Sequence, residues 1–385
     1  MNKNLKIILV AGARPNFMKV SPLIHAINKH NKRLGSKENK INCILVHTGQ
    51  HYDIKMSEIF FSDLVLPRPD INLEVGSASH AIQTAKIMTR FEKVCIKENP
   101  DWILVVGDVN STIACTLVAA KLGIKVGHVE AGLRSFDRSM PEEINRIVTD
   151  ALSDLLFTPS EDADKNLMKE GISKEKIKRV GNIMIDTLIA NLDKARQLRP
   201  HDTFGLNGNG FVYVTLHRPS NVDNRLNLSC IMECLIKLSH DLPVIFSLHP
   251  RTKKQLISFG LLERINNIPS LFLTEPLSYH NSIGLIDKAR FVLTDSGGIQ
   301  EETTFLKIPC LTLRPNTERP ITISQGTNKL TSPELLEQDI EYLLNGNCRK
   351  GEIPELWDGK TGKRIIRILT EMGAYKKSVH SHRDT

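Results

Sequence analysis

DWILVVGDVNSTIACTLVAAKLGIKVGHVE, residues Asp101 to Glu130, reads as strand, helix and strand. Its first apolar run, Trp102 to Val106, contains no polar residue; a helix-like segment, STIACTLVAAKLG, follows, and IKVGHV starts a second strand. A strand without polar and apolar alternation is buried on both faces, and two such strands joined by a helix pair in parallel. The polar residues collect just past the apolar runs, at Gly107-Asp108 and at Glu130.

The same rhythm extends in both directions. Upstream, KIILVAGA leads into a helix pattern through Pro22 to His30 and then NCILVHTG; downstream come DLLFTPS and EDADKNLMKEG. This alternation predicts a doubly wound α/β domain. A long helix pattern in VGNIMIDTLIANLDKARQLRP runs into the Gly/Asn-rich HDTFGLNGNG, which reads as a passage between domains. FVYVTLHRPSN, LPVIFSLHPRT, SLFLTEP, ARFVLTDSGG and IPCLTLRP then restart the rhythm, so a second doubly wound domain is expected. The expected divisions are 1–183, 184–358, a closing amphipathic helix over 359–375 and a polar tail over 376–385.

Composition excludes several classes. The 385 residues are 41% hydrophobic and 24% charged, as in globular proteins with a large core. The net charge of +8 does not predict a nucleic-acid partner: the lysines lie in helix-like stretches such as EGISKEKIKR and in the tail AYKKSVHSHRDT, and aromatics are only 5%. The anion expected is a small phosphate ester. No apolar run approaches the roughly 20 residues of a membrane span, so no membrane partner is expected. MNKNLKIILVAGA imitates a signal peptide, but Lys6 interrupts it and a first buried strand explains the same residues. Seven cysteines without a CxxC pair read as reduced thiols of a cytoplasmic protein.

Ligands of open parallel sheets bind outside the carboxyl ends of the strands. The residues there are Gly12-Ala13-Arg14, His47 to His51, Gly107-Asp108, Glu130, His217-Arg218, His249-Pro250-Arg251 and Asp295 to Gly298. TDSGGIQEET sets Ser296, Gly297 and Gly298 at a helix start, where free backbone N–H groups suit a diphosphate; Glu302, one turn on, is placed to hold ribose hydroxyls. Arg14 and Lys19 open the first helix and suit a phosphate leaving group. His47 and His51 are four apart, but Gly49 between them predicts a loop, and no metal site is expected.

GHVEAGLRSFDRSMPEEINR, Gly127 to Arg146, packs four carboxylates, three arginines and a histidine into twenty residues. If Leu133 to Met140 folds back over the strand ends, Asp108, Glu130 and Glu142 converge, and crowded carboxylates raise one another's pKa into the range of acid/base catalysis. His217 supplies another proton carrier. The bland alternative pairs Glu130, Glu142 and Asp137 with Arg134, Arg138 and Arg146 as salt bridges. There is no dinucleotide fingerprint, P-loop, HExxH or nucleophile elbow. From the residues alone this is a two-domain enzyme acting by acid/base chemistry on a phosphorylated, nucleotide-linked compound.

GARPNFMK, HTGQH, VVGDVNST, GHVEAGLRSFDRSMPEEINR, VGNIMIDTL, LHRPSN, LHPRT, LTDSGGIQEE and TERP together span nearly the whole chain and resemble, in order, the non-hydrolysing UDP-N-acetylglucosamine 2-epimerases. The resemblance implies two Rossmann-like domains in a glycosyltransferase-B-like arrangement with an interdomain active-site cleft, a closing helix that returns to the first domain, and a homodimer. It implies inversion of C2 of UDP-GlcNAc to give UDP-ManNAc, with no cofactor, through loss of UDP to a 2-acetamidoglucal and its re-addition. Asp108, Glu130 and Glu142 match the family's catalytic carboxylates, Arg14 and Lys19 its basic residues, and His217 its active-site histidine. Ser296, Gly297, Gly298 and Glu302 match the UDP site, to which Arg14, His217 and Arg319 of TERP are added.

Three segments depart from the pattern. Many bacterial members read RPE where this chain has Arg14-Pro15-Asn16. Their QHRE and HRRE segments, tied to activation by a second substrate molecule, read Gln50-His51-Tyr52-Asp53 and His217-Arg218-Pro219-Ser220 here, leaving Gln50, His51 and Arg218 as regulatory candidates. Other readings are the same chemistry on another UDP-acetamido sugar such as a 2,3-diacetamido-glucuronic acid, a hydrolysing 2-epimerase, a glycosyltransferase on this fold, and a nucleotide-sugar binder without turnover.

Overall fold

Every uninterrupted apolar run becomes a strand in one of two parallel sheets. The structure, a computed structural model, describes residues 4–34, 40–50, 66–206 and 210–380, apart from the side chains of Arg14 and 373–380. The chain divides into one unit of Met1–Thr187 with Glu355–Thr385 and another of Leu188–Pro354.

The first unit holds β1 (Leu5–Ala11), β2 (Ile41–His47), β3 (Ile71–Asn72), β4 (Trp102–Val106), β5 (Lys125–Val129), β6 (Leu155–Thr158) and β7 (Ile177–Arg179) in the order β3-β2-β1-β4-β5-β6-β7. Ile8 of β1 sits opposite Ile44 on one side and Ile103 on the other. Helices α1 (Arg14–Leu34), α2 (His80–Glu98), α3 (Asn110–Lys121), α4 (Pro141–Leu152) and α5 (Glu161–Lys169) alternate with the strands, and α6 (Ile183–Leu198) runs on into the second unit. Ile87 and Phe91 of α2 and Ala114, Cys115 and Val118 of α3 close over Ile8, Val10, Ile103 and Val105. Within β5, Gly127 leaves room for its neighbours: a Cβ there would lie 2.6 Å from Leu104 and 3.1 Å from Phe157.

EGISKEKIKR is not helical. Gly171, at φ 83°, ends α5, and Ile177–Arg179 becomes the edge strand β7. Glycine takes that left-handed conformation without strain, so the helix stops there.

The second unit repeats the plan with β8 (Val212–Leu216), β9 (Val244–Leu248), β10 (Leu271–Thr274), β11 (Phe291–Thr294), β12 (Cys310–Leu313) and β13 (Asn328–Thr331) in the order β10-β9-β8-β11-β12-β13. Its longer helices are α7 (Arg225–Asp241), α8 (Pro250–Ser258), α9 (Tyr279–Lys288), α10 (Gly297–Leu306) and α11 (Leu336–Leu344). Leu228, Ile231, Leu235 and Leu238 of α7 recur at helical spacing and are buried against Val214 and Phe246. Asn224 caps that helix, its side chain accepting from the N–H groups of Leu226 and Asn227.

Each sheet grows outward from its first strand and then jumps to the other side of it. The switch points fall between β1 and β4 and between β8 and β11, where parallel sheets open a crevice at their carboxyl ends.

The closing helix α12 (Thr361–His380) belongs to the first unit. Asp186 accepts the N–H groups of Thr361 (3.1 Å) and Gly362 (2.8 Å), capping it, and Trp357 donates from its indole to the carbonyl of Pro159. Pro22 lies inside α1 and has no N–H, which orphans the carbonyl of Met18; the hydroxyl of Thr187 donates to it. All seven cysteines are free thiols, as read from the sequence. Among the described residues no helix is long and apolar enough to cross a membrane.

Replacing Asp186 with Ala should lower the stability of the first unit by about 1–2 kcal/mol, the worth of a helix cap whose loss leaves buried donors unpaired. Urea denaturation checks this. An unchanged midpoint would contradict the cap.

Candidate active site

At the β1/β4 switch point, Asn16 ties two strand ends together. Its Oδ1 accepts the N–H groups of Gly12 (3.0 Å) and Ala13 (2.9 Å), and its Nδ2 donates to the carbonyl of Val106 (2.9 Å). One turn along α1, Lys19 forms an ion pair with Glu130, and both are buried. Gly107 makes way for them: it sits at φ 67°, and a Cβ there would lie 2.7 Å from Lys19 Nζ and 3.3 Å from Glu130 Oε2. Glu130 itself has φ 75°, a left-handed conformation that costs a non-glycine residue of order 1 kcal/mol or more. Strain of that kind persists where the surroundings hold a side chain in one place. Arg14 is the first residue of α1, with its side chain outside the described part of the structure.

Asp108, next to Gly107, keeps 26% of its side chain exposed and pairs with the buried Arg146. Arg146 also donates to Glu143 Oε2 from Nε (3.0 Å) and Nη2 (2.6 Å). Glu143 accepts the N–H groups of Ser135 and Phe136 and the hydroxyl of Ser135, which folds the loop back over the helix start. Burial pushes the Glu143 carboxyl up, but the Ser135 N–H, Arg146 and the Phe136 N–H outweigh it and hold it below the usual range.

The expected convergence is therefore only partly realised. Asp108 and Glu130 occupy adjoining strand ends, whereas Glu142 is exposed on the first turn of α4. Glu143, Arg146 and Asp150, spaced by three, four and seven, share the inner face of that helix; Glu142 is rotated off it by one residue. The ion pairs of this edge differ from the ones anticipated among Glu130, Glu142, Asp137 and Arg134, Arg138, Arg146: Glu130 pairs with Lys19, and Arg146 with Asp108 and Glu143. Arg134 pairs instead with Asp150 (2.7 Å) and Glu170 (2.7 Å), and Asp137 accepts from Ser139.

Behind this edge lies a fully buried pair. His128 contacts Asp150 Oδ1 at 2.6 Å through Nδ1 and the Gly107 carbonyl at 2.8 Å through Nε2. Asp150 also accepts the Gly132 N–H. Burial raises the Asp150 carboxyl, yet His128 and Arg134 outweigh it and leave it below its ordinary value. The turn carrying Asp108 and the loop after Glu130 are thus fixed from beneath.

In the second unit, Asp295 follows β11 at the switch point with no exposed surface. It accepts from His217 Nδ1 (2.7 Å), the N–H groups of His217 and Arg218, and Asn221 Nδ2. Burial pushes its carboxyl up, but His217, Arg218 and Asn221 prevail and hold it down. Ser296 precedes α10 and donates its N–H to Thr294 Oγ1; Gly297 and Gly298 open the helix. Arg319 lies against Gly297, where a Cβ would come within 2.6 Å of its Nη1. It is ion-paired with Glu301 and Glu318, and Arg314 holds the other oxygen of Glu318. Glu302 is buried and pushed up to about 8, by burial first and by Glu301, with Tyr279 working against both.

Of the regulatory candidates, Gln50 is buried and its Oε1 accepts from the N–H and hydroxyl of Ser111, while Arg218 Nε donates to the Asp295 carbonyl. His51 lies outside the described residues. His47 is buried against Phe17, and that burial lowers its pKa to about 4. From the sequence Asp295 reads as a strand-end residue without a role and Asn16 as a departure from a family pattern, while His128, Glu143 and Asp150 carry no signal beyond their polarity.

The family model described as UDP-N-acetylglucosamine 2-epimerase matches residues 33–370. The UDP-N-acetylglucosamine 2-epimerase of Methanocaldococcus jannaschii is 44% identical over 373 residues, covering 95% of this chain and 99% of the relative. The UDP-2,3-diacetamido-2,3-dideoxy-D-glucuronate 2-epimerase of Pseudomonas aeruginosa is 40% identical over 330 residues, covering 85% and 88%. A crystal structure of the M. jannaschii UDP-GlcNAc 2-epimerase in complex with UDP-GlcNAc and UDP superposes with a TM-score of 0.84 at 43% identity, covering 95% of this chain and 100% of that one.

Glu302 gives a pH test. Its folded pKa of about 8 lies above the ordinary 4.5, so the folded state keeps a proton that the unfolded state releases. Stability without ligand should be fullest below the ordinary value and fall as pH rises to about 8, with a slope of up to about 1.4 kcal/mol per pH unit. Glu302→Gln should flatten that slope in denaturation measured at several pH values, and a slope unchanged by the substitution would sink the assignment.

Proposed function

We propose, from the premise that this chain belongs to the UDP-N-acetylglucosamine 2-epimerase family, that it inverts C2 of UDP-N-acetylglucosamine to give UDP-N-acetylmannosamine without releasing UDP. The C2 proton is not adjacent to a carbonyl and is too weakly acidic for simple removal. Elimination avoids that difficulty. A carboxylate takes the C2 proton, the C–H electron pair becomes the C1–C2 double bond of a 2-acetamidoglucal, and UDP leaves with the C1–O electron pair. Return of a proton to the opposite face of C2 and of UDP to C1 completes the inversion. No net oxidation occurs, so a hydride acceptor has nothing to do.

The observation that carries this reading is the pair of carboxylates at adjoining strand ends, Asp108 half open and Glu130 buried against Lys19. Asp108 and Glu130, with the exposed Glu142, are the proposed acid/base groups. A buried carboxylate needs a counter-charge, which Lys19 supplies to Glu130. Arg14, Lys19 and His217 are assigned to the diphosphate as it leaves and returns. Ser296, Gly297 and Gly298 at the α10 start hold the diphosphate, Glu302 the ribose, and Arg319 completes the UDP site. The family resemblance further supports a cytoplasmic homodimer. A second reading, the same inversion on a UDP-diacetamido-glucuronic acid, is favoured by the 40% identity to the P. aeruginosa epimerase.

Proton NMR of the protein with UDP-GlcNAc in deuterated water should show deuterium at C2 and the appearance of UDP-ManNAc. Free mannosamine derivative with UDP would instead mark a hydrolysing enzyme, and exchange confined to the diacetamido acid would select the second reading. Asp108→Asn and Glu130→Gln should each lose more than about 100-fold in turnover, the scale of acid/base groups, with UDP binding retained by calorimetry. Near-full turnover in both variants would remove them from the mechanism.

A further inference from the structure

We propose that Asp295 is a positioning residue that fixes the His217 ring in its Nδ1–H tautomer and so makes Nε2 the nitrogen that meets the substrate. This rests on the reading of His217 as a group that acts on the UDP-sugar. Asp295 has no exposed surface, whereas 42% of the His217 side chain is open. The ring nitrogen Nδ1 lies 2.7 Å from Asp295 Oδ1. The His217 main-chain N–H is shared between Oδ1 (3.1 Å) and Oδ2 (3.0 Å), and Oδ2 also accepts the Arg218 N–H (2.9 Å) and Asn221 Nδ2 (3.0 Å). Asn221 spends its remaining donor on the Leu313 carbonyl (2.9 Å), so the ends of β8, β11 and β12 meet on one carboxylate.

An ionised carboxylate only accepts, so a hydrogen must sit on His217 Nδ1. In the neutral ring Nε2 then carries a lone pair. That nitrogen can take a proton and, once charged, donate it to a departing diphosphate; an Nε2–H tautomer of the neutral ring could only donate. The neighbouring His249, with its ring centroid 5.6 Å away, has the opposite arrangement, because its Nδ1 accepts the Arg251 N–H at 3.2 Å. Both rings engage Nδ1 locally, so Nε2 is a lone-pair nitrogen in neutral His217 and an N–H in neutral His249, and a buried carboxylate decides the form that His217 offers.

Asp295→Asn tests the point. The Arg218 N–H and Asn221 Nδ2 face Oδ2 alone, so the amide oxygen belongs there, and the amide nitrogen then faces His217 Nδ1 and donates to it. The tautomer should flip. Nitrogen NMR of the full chain carrying labelled histidine, with the His217 signals identified by their loss in His217→Gln, should find Nδ1 protonated in the unaltered protein and Nε2 protonated in Asp295→Asn. Turnover of UDP-GlcNAc by Asp295→Asn should fall about 100-fold in kcat, with KM and UDP affinity within about 3-fold of the unaltered protein.

An Nε2–H ring in the unaltered protein overturns the proposal, as does a flipped tautomer with unchanged kcat. A parallel loss of UDP affinity and kcat with no tautomer change assigns Asp295 a structural role and also overturns it. If Asp295→Asn fails to fold, the tautomer of the unaltered chain decides. Full activity in His217→Gln would instead defeat the reading of His217, leaving the tautomer result to stand or fall separately.

Discussion

A carboxylate removed from water must receive its hydrogen bonds from the chain, or its burial costs several kcal/mol. Both sheets place such a group behind their carboxyl ends, and the local structure is arranged to supply the donors. Asp295 gathers a ring nitrogen, two main-chain N–H groups and an amide. Asp150 gathers His128, Arg134 and the N–H of Gly132. In each case a partly exposed candidate side chain stands on the surface side of the buried acceptor: His217 above Asp295, and Asp108, through Gly107 and His128, above Asp150. Removing the acceptor would free those side chains and orphan several donors at once, which explains why so many polar residues crowd behind these strand ends.

This arrangement depends on the parallel order of the sheets. A switch point parts the loops of β1 and β4, and again those of β8 and β11, and the crevice so opened is where side chains from distant segments meet. Lys19 and Glu130 are 111 residues apart, and His217 and Asp295 are 78 apart. Close approach also requires residues that are small or conformationally free. Gly107 admits the Lys19–Glu130 pair and Gly297 admits the Arg319 guanidinium, so in both units a glycine at a strand end is matched to a charged group pressed against it.

Much of this was legible in the amino-acid order. Central strands betray themselves because both faces are buried, and each of the ten apolar runs quoted from the sequence proved to be a strand. The strands that escaped notice, β3, β7 and β13, are all at sheet edges, where one side faces no neighbour and composition is unconstrained. Individual polar partners were less legible. A residue's place on a helix turns by about 100° per position, so Glu142 and Glu143 cannot be told apart without the helix axis, and the inner one proved to be Glu143. Nor does sequence proximity select ion pairs: Arg134 reached past its nearest acidic neighbours to Asp150 and Glu170. Asp295 was visible only as one more polar strand end, because its importance lies in how many donors converge on it.

Position 16 shows how a departure from a family pattern takes on meaning only in place. Read linearly, Asn16 looks like a missing carboxylate beside Arg14. In the folded chain its side chain is 1% exposed and turned away from solvent, with its oxygen bonded to the N–H groups of Gly12 and Ala13 and its nitrogen to the carbonyl of Val106. An amide alone satisfies both ends of that bridge, since a carboxylate would set an acceptor against the Val106 carbonyl and leave two acceptors facing each other. Asn16 therefore holds the turn that starts α1 against the strand end that carries Gly107 and Asp108. The charge at this edge of the sheet is set by Lys19, Glu130, Asp108 and Arg146, and the neutral residue among them keeps the two strand ends in register.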